Sequence, residues 1–386
     1  MARPGPAPGP PIQKRRDEQM SNRIDRTRPD APALARRGTY PVGVRSLTLV
    51  NPDQPDVFGA PGARADRALA VELWYPAANA GAGAARYPTL LRDGHRRLTL
   101  HGGATRDATP AAAEFPLVIL SHGYPGNRML LGHFGEFLAS HGYRVASIDH
   151  LHSTYGDPAY LAGKAFAATL IHRPLDVAFV AETLGGDYAV IGYSMGGYGA
   201  LVLAGAGISA QALTTEMAPP HDLWRLHRAP KPPARLRAIL AIGPWGGARA
   251  LWDAAGLGAM RLPCLIMAGT EDDVSGYDTG MRRIFAETGG PTWLLSFIGA
   301  GHNAAAPIPA PDEAWEPSPH LDWPPFAHYA DPVWDSTAMN NIAQHFARAF
   351  LDLHLKRLSE MADYLRPGWK GFEAGRAPGL VLEQRG

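Results

Sequence analysis

Tyr188-Ala189-Val190-Ile191-Gly192-Tyr193-Ser194-Met195-Gly196-Gly197 decides the reading of this chain. An apolar run, Tyr188 to Ile191, enters a Gly-x-Ser-x-Gly turn, and an Ala/Leu-rich segment leaves it from Gly197 to Ala204. Strand, tight turn, helix is the order that holds a serine on a strained turn with its hydroxyl clear of the backbone. Gly192 and Gly196 flank it because strand and helix approach too closely there for any Cβ. The bland alternative is a Gly-rich turn with an incidental serine, and only partner groups elsewhere in the chain decide against it.

A serine hydroxyl is a weak nucleophile and needs a base, an orienting carboxylate and donors for an oxyanion. Downstream, Leu262 to Gly269 reads as a short buried strand, and Glu271, Asp272 and Asp273 follow it directly. The next strand, Thr292 to Ile298, runs into Gly299-Ala300-Gly301-His302-Asn303. Acid and histidine therefore leave the carboxyl ends of neighbouring strands, where sites form in parallel α/β sheets. Asp272 is the first candidate for the acid, Asp273 the second, and His302 is the candidate base. Upstream, the apolar run Phe115 to Leu120 ends in Ser121-His122-Gly123-Tyr124, a loop placed to give one oxyanion N–H from Tyr124, with Met195 giving the other. Pro125 has no N–H to give. His122 is expected to brace this loop by hydrogen bonding.

With these residues in place the chain resembles the α/β-hydrolase superfamily, and within it the dienelactone-hydrolase-like carboxylesterases. The platelet-activating-factor acetylhydrolases and cutinase-like polyester hydrolases are relatives of that group. The likeness rests on Ser121 to Tyr124, Leu138 to Val145, Gly192 to Gly197, Pro244-Trp245, Gly269 to Asp272 and Gly301-His302, and spans about residues 40 to 355. It implies a Ser194–Asp272–His302 triad, oxyanion donors at Tyr124 and Met195, and Tyr124 and Trp245 as aromatic walls of the substrate site. Two departures stand out. The dienelactone hydrolases use cysteine where this chain has Ser194. The cutinase-like enzymes lack the Pro- and aromatic-rich segment 304–335, which carries Trp315, Trp323, Phe326, Tyr329 and Trp334. Beginning just past the candidate base, that segment is expected either to wall the cleft or to strap the domain.

The coarse order is two antiparallel strands, then alternating strands and helices, among them a helix over residues 174–184 before the elbow strand, which implies a mainly parallel sheet with helices on both faces. One α/β-hydrolase domain is expected over residues 38–386, with insertions at about 208–234 and 304–335. The Pro/Arg-rich stretch 1–37 reads as a disordered tail without a secretory signal, and Met20 as a plausible natural start. The 386 residues include 37 Lys+Arg and 36 Asp+Glu, a net charge of +1, so no field draws nucleic acid or an acidic membrane surface. No run has the length of a membrane span. One cysteine, Cys264, fits a reducing, cytoplasmic setting. His150-Leu151-His152 is too sparse for a metal site, and Gly205 to Ala210 follows a helix rather than the strand that a dinucleotide loop requires. These features lead to an expected serine esterase acting on small to medium apolar esters, without cofactor or metal. The alternatives are the same triad serving as lipase, polyesterase, amidase or acyltransferase, or a non-catalytic binding protein on the same scaffold.

Overall fold

The computed structural model describes residues 22–81, 84–373, 375 and 377–386. Among the described residues twelve strands run β1 (Val42–Pro55), β2 (Arg64–Pro76), β3 (Arg86–Leu90), β4 (Arg97–His101), β5 (Thr105–Arg106), β6 (Leu117–Ser121), β7 (Arg144–Asp149), β8 (Tyr188–Tyr193), β9 (Leu236–Ile242), β10 (Cys264–Gly269), β11 (Thr292–Phe297) and β12 (Leu380–Arg385). The long helices are α1 (Gly132–Ser140), α2 (Phe166–Leu184), α3 (Met195–Leu203) and α4 (Ser336–His354). Ten strands form one sheet in the order β12-β11-β10-β9-β8-β6-β7-β2-β1-β5, and β3 and β4 form a separate hairpin.

From β7 through β6, β8, β9 and β10 to β11 all neighbours are parallel. These strands are fully or nearly fully buried Val/Ile/Leu-rich runs, as parallel strands covered on both faces must be. Two apolar clusters cover the faces. One gathers α1 and α4, with Phe134, Phe346 and Phe350; the other gathers α2 and α3, with Leu170, Val177 and Leu201. The register sets Ser121 beside Gly192, Tyr193 beside Ile242 and Gly269 beside Phe297. The loops after β6, β8, β10 and β11 therefore leave from one rim.

Several expectations are corrected. Residues 22–37, read as part of a tail, pack on the domain: the Ile24 N–H donates to the His101 carbonyl, and the Leu34 N–H to His345 Nδ1. Ile24 and Leu34 are buried apolar anchors in an otherwise polar stretch. The rest of that expected tail, and Met20, lie outside the described residues. Helix α2 begins at Phe166 rather than Pro174. Proline at position 174 removes the N–H that would bond the Leu170 carbonyl, and the Tyr198 hydroxyl donates to that carbonyl instead at 2.8 Å. The 208–234 segment packs against α2 and α3 through buried Trp224, whose Nε1 donates to Tyr198 Oη at 2.8 Å.

Candidate active site

Ser194 caps α3 directly after β8, with φ 52° and ψ −111°, a conformation strained for any residue but glycine. The glycines around it allow this turn. A Cβ on Gly192 would lie 2.2 Å from the Gly196 carbonyl oxygen, and one on Gly196 would lie 1.9 Å from that of Ser121. His302 Nε2 is 3.0 Å from Ser194 Oγ, and its Nδ1 is 2.8 Å from Asp272 Oδ2. Asp272 is the buried acid of its turn, and its other oxygen accepts the N–H groups of Val274 and Ser275 at 3.0 and 2.8 Å. Glu271 and Asp273 are exposed. One acid of three is thus oriented, and it holds the imidazole with its acceptor nitrogen toward the serine.

The two candidate oxyanion donors are held from behind. A peptide plane fixes its N–H opposite the preceding carbonyl, so gripping the carbonyl aims the N–H. The Gly123 carbonyl, on the same peptide as the Tyr124 N–H, accepts from Arg173 Nη2 at 2.8 Å and lies 2.7 Å from His122 Nδ1. The Ser194 carbonyl, on the peptide of the Met195 N–H, accepts the Trp245 N–H at 3.0 Å. Neither the Tyr124 nor the Met195 N–H donates to another group among the described residues.

Arg173 is buried and donates to the carbonyls of both His122 and Gly123 and to Ser153 Oγ. Burial draws its pKa down to about 9, which still leaves it charged at neutral pH. His122 braces the loop, as expected: its Nε2 accepts the His150 N–H at 3.3 Å. Beneath lies a second serine–histidine–carboxylate array. Ser121 Oγ is 2.9 Å from His150 Nε2, and His150 Nδ1 is 3.0 Å from Asp176 Oδ2. Burial would raise the Asp176 carboxyl, but Arg67 and His150 outweigh it and hold it well below the usual range. With Ser121 at 0% exposure no substrate reaches this array, and it serves as a brace. Among the described residues no three His, Cys, Asp or Glu come together to hold a metal ion.

Ser194 and His302 open into a cleft of about 720 Å³. Tyr124, Pro125 and Tyr193 line it too, as do Glu271, Asp273, Val274 and Arg92. The 304–335 segment supplies Trp323, Ala327, His328, Ala330, Asp331 and Pro332, and so forms a wall. It is tied to the histidine loop: Asp331 Oδ2 accepts the Gly301 N–H at 2.7 Å, and Asn303 Nδ2 donates to the carbonyls of Ala327 and Ala330 at 2.8 Å. Trp315 points elsewhere, 65% exposed against Phe326. Trp245, expected as a substrate wall, does not line the cleft. It is buried edge-on to Phe166, which in turn meets Tyr124. Sequence reasoning missed Arg173 and Arg92. Neither lies in a motif, and the β3–β4 hairpin that carries Arg92 was not read at all.

A family model described as the alpha/beta hydrolase fold matches residues 116–241. A second, described as platelet-activating factor acetylhydrolase, isoform II, matches residues 35–161. Among curated proteins none matches. A solved structure of ferulic acid esterase from Streptomyces cinnamoneus is similar at 20% identity and a TM-score of 0.63, over 94% of this chain and 99% of that one. No helix among the described residues is long and apolar enough to cross a membrane. This chain adopts the α/β-hydrolase fold.

Proposed function

We propose that the chain hydrolyses carboxylic esters of small to medium size through an acyl-enzyme on Ser194. The observation that carries this reading is the unbroken contact from Ser194 Oγ through His302 to buried Asp272, open to a cleft. His302 takes the Ser194 proton as the hydroxyl attacks the ester carbonyl, while Asp272 holds the imidazole and stabilises its charged form. The Tyr124 and Met195 N–H groups receive the oxyanion, and both face it without reorganising because their peptides are fixed. His302 then protonates the leaving alcohol, and water repeats the sequence to release the acid. The wall from Trp323 to Pro332 narrows access and favours a discrete ester over a polymer surface. A cytoplasmic setting belongs to the same reading, and a single cysteine, Cys264, which can form no internal disulfide, fits it.

Ester cleavage is tested with p-nitrophenyl esters of increasing acyl length and with a fluorophosphonate probe. The expected result is labelling at Ser194, highest turnover on short to medium chains, and a loss of several orders of magnitude in Ser194→Ala. Undiminished turnover by Ser194→Ala overturns the mechanism. New ester in place of free acid when alcohol is added marks an acyltransferase instead.

A further inference from the structure

Arg92 lies in the tight loop between β3 and β4, where the Leu91 N–H donates to the Arg96 carbonyl and the Gly94 N–H to that of Leu91. Its own backbone N–H donates to the hydroxyl of buried Tyr329 at 3.1 Å, which fixes the stem of the side chain. The guanidinium stands 5.3 Å from the ring centroid of Trp323 and 5.8 Å from that of Tyr160. Residue and cleft are one environment, since Arg92, Trp323 and Ser194 all line it. Tyr160 meets the Tyr124 ring edge-on at 5.3 Å, so the cation sits beyond one intervening ring from the oxyanion loop.

A guanidinium held against aromatic faces keeps its N–H donors at the edge, free for an acceptor lying in its plane. Among the described residues this one has no such acceptor: it forms no ion pair and no side-chain hydrogen bond. The adjacent carboxylate, Asp93, is turned away and used up, accepting the N–H groups of His95 and Arg96 at 2.9 Å and the Ser318 hydroxyl at 2.9 Å. Asp331 is likewise engaged by the N–H groups of Gly301, Val333 and Trp334. His328, the other ionisable group of this wall, is kept well below its ordinary pKa by burial and by Arg92 and is neutral at pH 7. A half-buried cation is thus presented to the cleft with its bidentate edge unused.

We propose that Arg92 anchors a carboxylate subsite in this cleft, so that the preferred ester carries a second, free carboxylate remote from its scissile carbonyl. A monoanion fits better than a phosphate dianion, because Glu271 and Asp273 line the same cleft and repel surplus negative charge. The subsite rests on the ester-hydrolase reading for its substrate, but its binding half can be measured without turnover.

The test uses two matched pairs on the full chain: mono-p-nitrophenyl adipate against its terminal carboxamide, and 4-acetoxybenzoate against 4-acetoxybenzamide. The first pair puts the charge on the acyl side, the second on the leaving alcohol. The expected result is a preference for the carboxylate in one pair, and a fall in that kcat/KM ratio of about tenfold in Arg92→Gln, the scale of one charge-assisted hydrogen bond. Arg92→Lys, with charge but no planar fork, should recover part of the ratio. Equal rates within both pairs for the native chain, or a ratio untouched by Arg92→Gln, overturn the subsite. Calorimetric titration of 4-acetoxybenzoate into Ser194→Ala, with and without Arg92→Gln, separates the two readings. Arg92-dependent binding without any hydrolysis by the native chain would sink the esterase reading and keep the subsite; no binding to either variant would sink the subsite. Inorganic phosphate competing as strongly as adipate would overturn the assignment to a carboxylate.

Discussion

Replacing Arg173 by Met removes the grip on the oxyanion loop while keeping a side chain of similar length. Two buried carbonyls, of His122 and Gly123, lose their guanidinium donor. The Gly123 carbonyl keeps His122 Nδ1, so one buried acceptor, the His122 carbonyl, is orphaned at about 1–3 kcal/mol; relief from burying a cation offsets part of this, leaving a net loss of stability of about 1–2 kcal/mol. The consequence for turnover is separate. The Gly123 carbonyl and the Tyr124 N–H share one rigid peptide, so loosening the first, which then keeps only His122 Nδ1, lets the second swing. Loss of one oxyanion donor is worth about 3 kcal/mol, or roughly a hundredfold in kcat. Because the donor acts on charge that develops only in the transition state, KM should hardly change. Steady-state kinetics on p-nitrophenyl acetate, well below the melting temperature of the variant, reads the effect, and thermal unfolding reads the stability. Arg173→Lys should fall between, since a single ammonium cannot span both carbonyls and Ser153 with the planar fork. A variant that loses stability but keeps kcat within about twofold of the native chain would refute the positioning argument and leave Arg173 as core structure alone.

Two further outcomes follow from the buried polar groups. Tyr198→Phe orphans the Leu170 carbonyl and Trp224 Nε1 together and should destabilise by about 2–4 kcal/mol in thermal unfolding; an unchanged Tm would mean that Pro174 leaves no carbonyl in need of a donor. Burial draws His133 and His150 down from 6.5 to about 4. Their neutral forms are the folded ones, so their stabilisation is complete above about pH 6.5 and is lost as pH falls toward about 4. Each is worth on the order of 3 kcal/mol once protonated, and Tm should drop steeply across that window. A flat Tm from pH 7 to about pH 4 would contradict it.

What the chain discloses in its sequence is set by how local the cause is. The elbow was legible because strand, glycines and helix are consecutive, and the steric demand that selects Gly192 and Gly196 acts across a few residues. Asp272 could be preferred but not separated from Asp273, since the choice lies in which carboxylate the Val274 and Ser275 N–H groups cap, and that is turn geometry. Pro174 misled for a related reason. As a sequence signal it marks the start of a helix, yet here a tyrosine two dozen residues later takes over the carbonyl that it abandons. The stretch 22–37 misled through composition, because two buried anchors, Ile24 and Leu34, outweigh its polar average.

Trp245 gives the sharper lesson, since its position in the motif was read correctly and its part was not. The expectation concerned its ring, but the ring packs on Phe166, while its backbone N–H grips the Ser194 carbonyl and thereby aims the Met195 N–H. Arg173 does the same for Tyr124 from helix α2. The proposed oxyanion site is therefore held from behind, through two carbonyls tied to groups that belong to neither loop. A substitution of the Trp245 side chain should then act on packing around Phe166, whereas any change that shifts its backbone, such as proline at position 245, strikes the oxyanion donor directly. Catalytic motifs mark where such donors lie; what holds them still comes from distant parts of the chain, and there sequence patterns are silent.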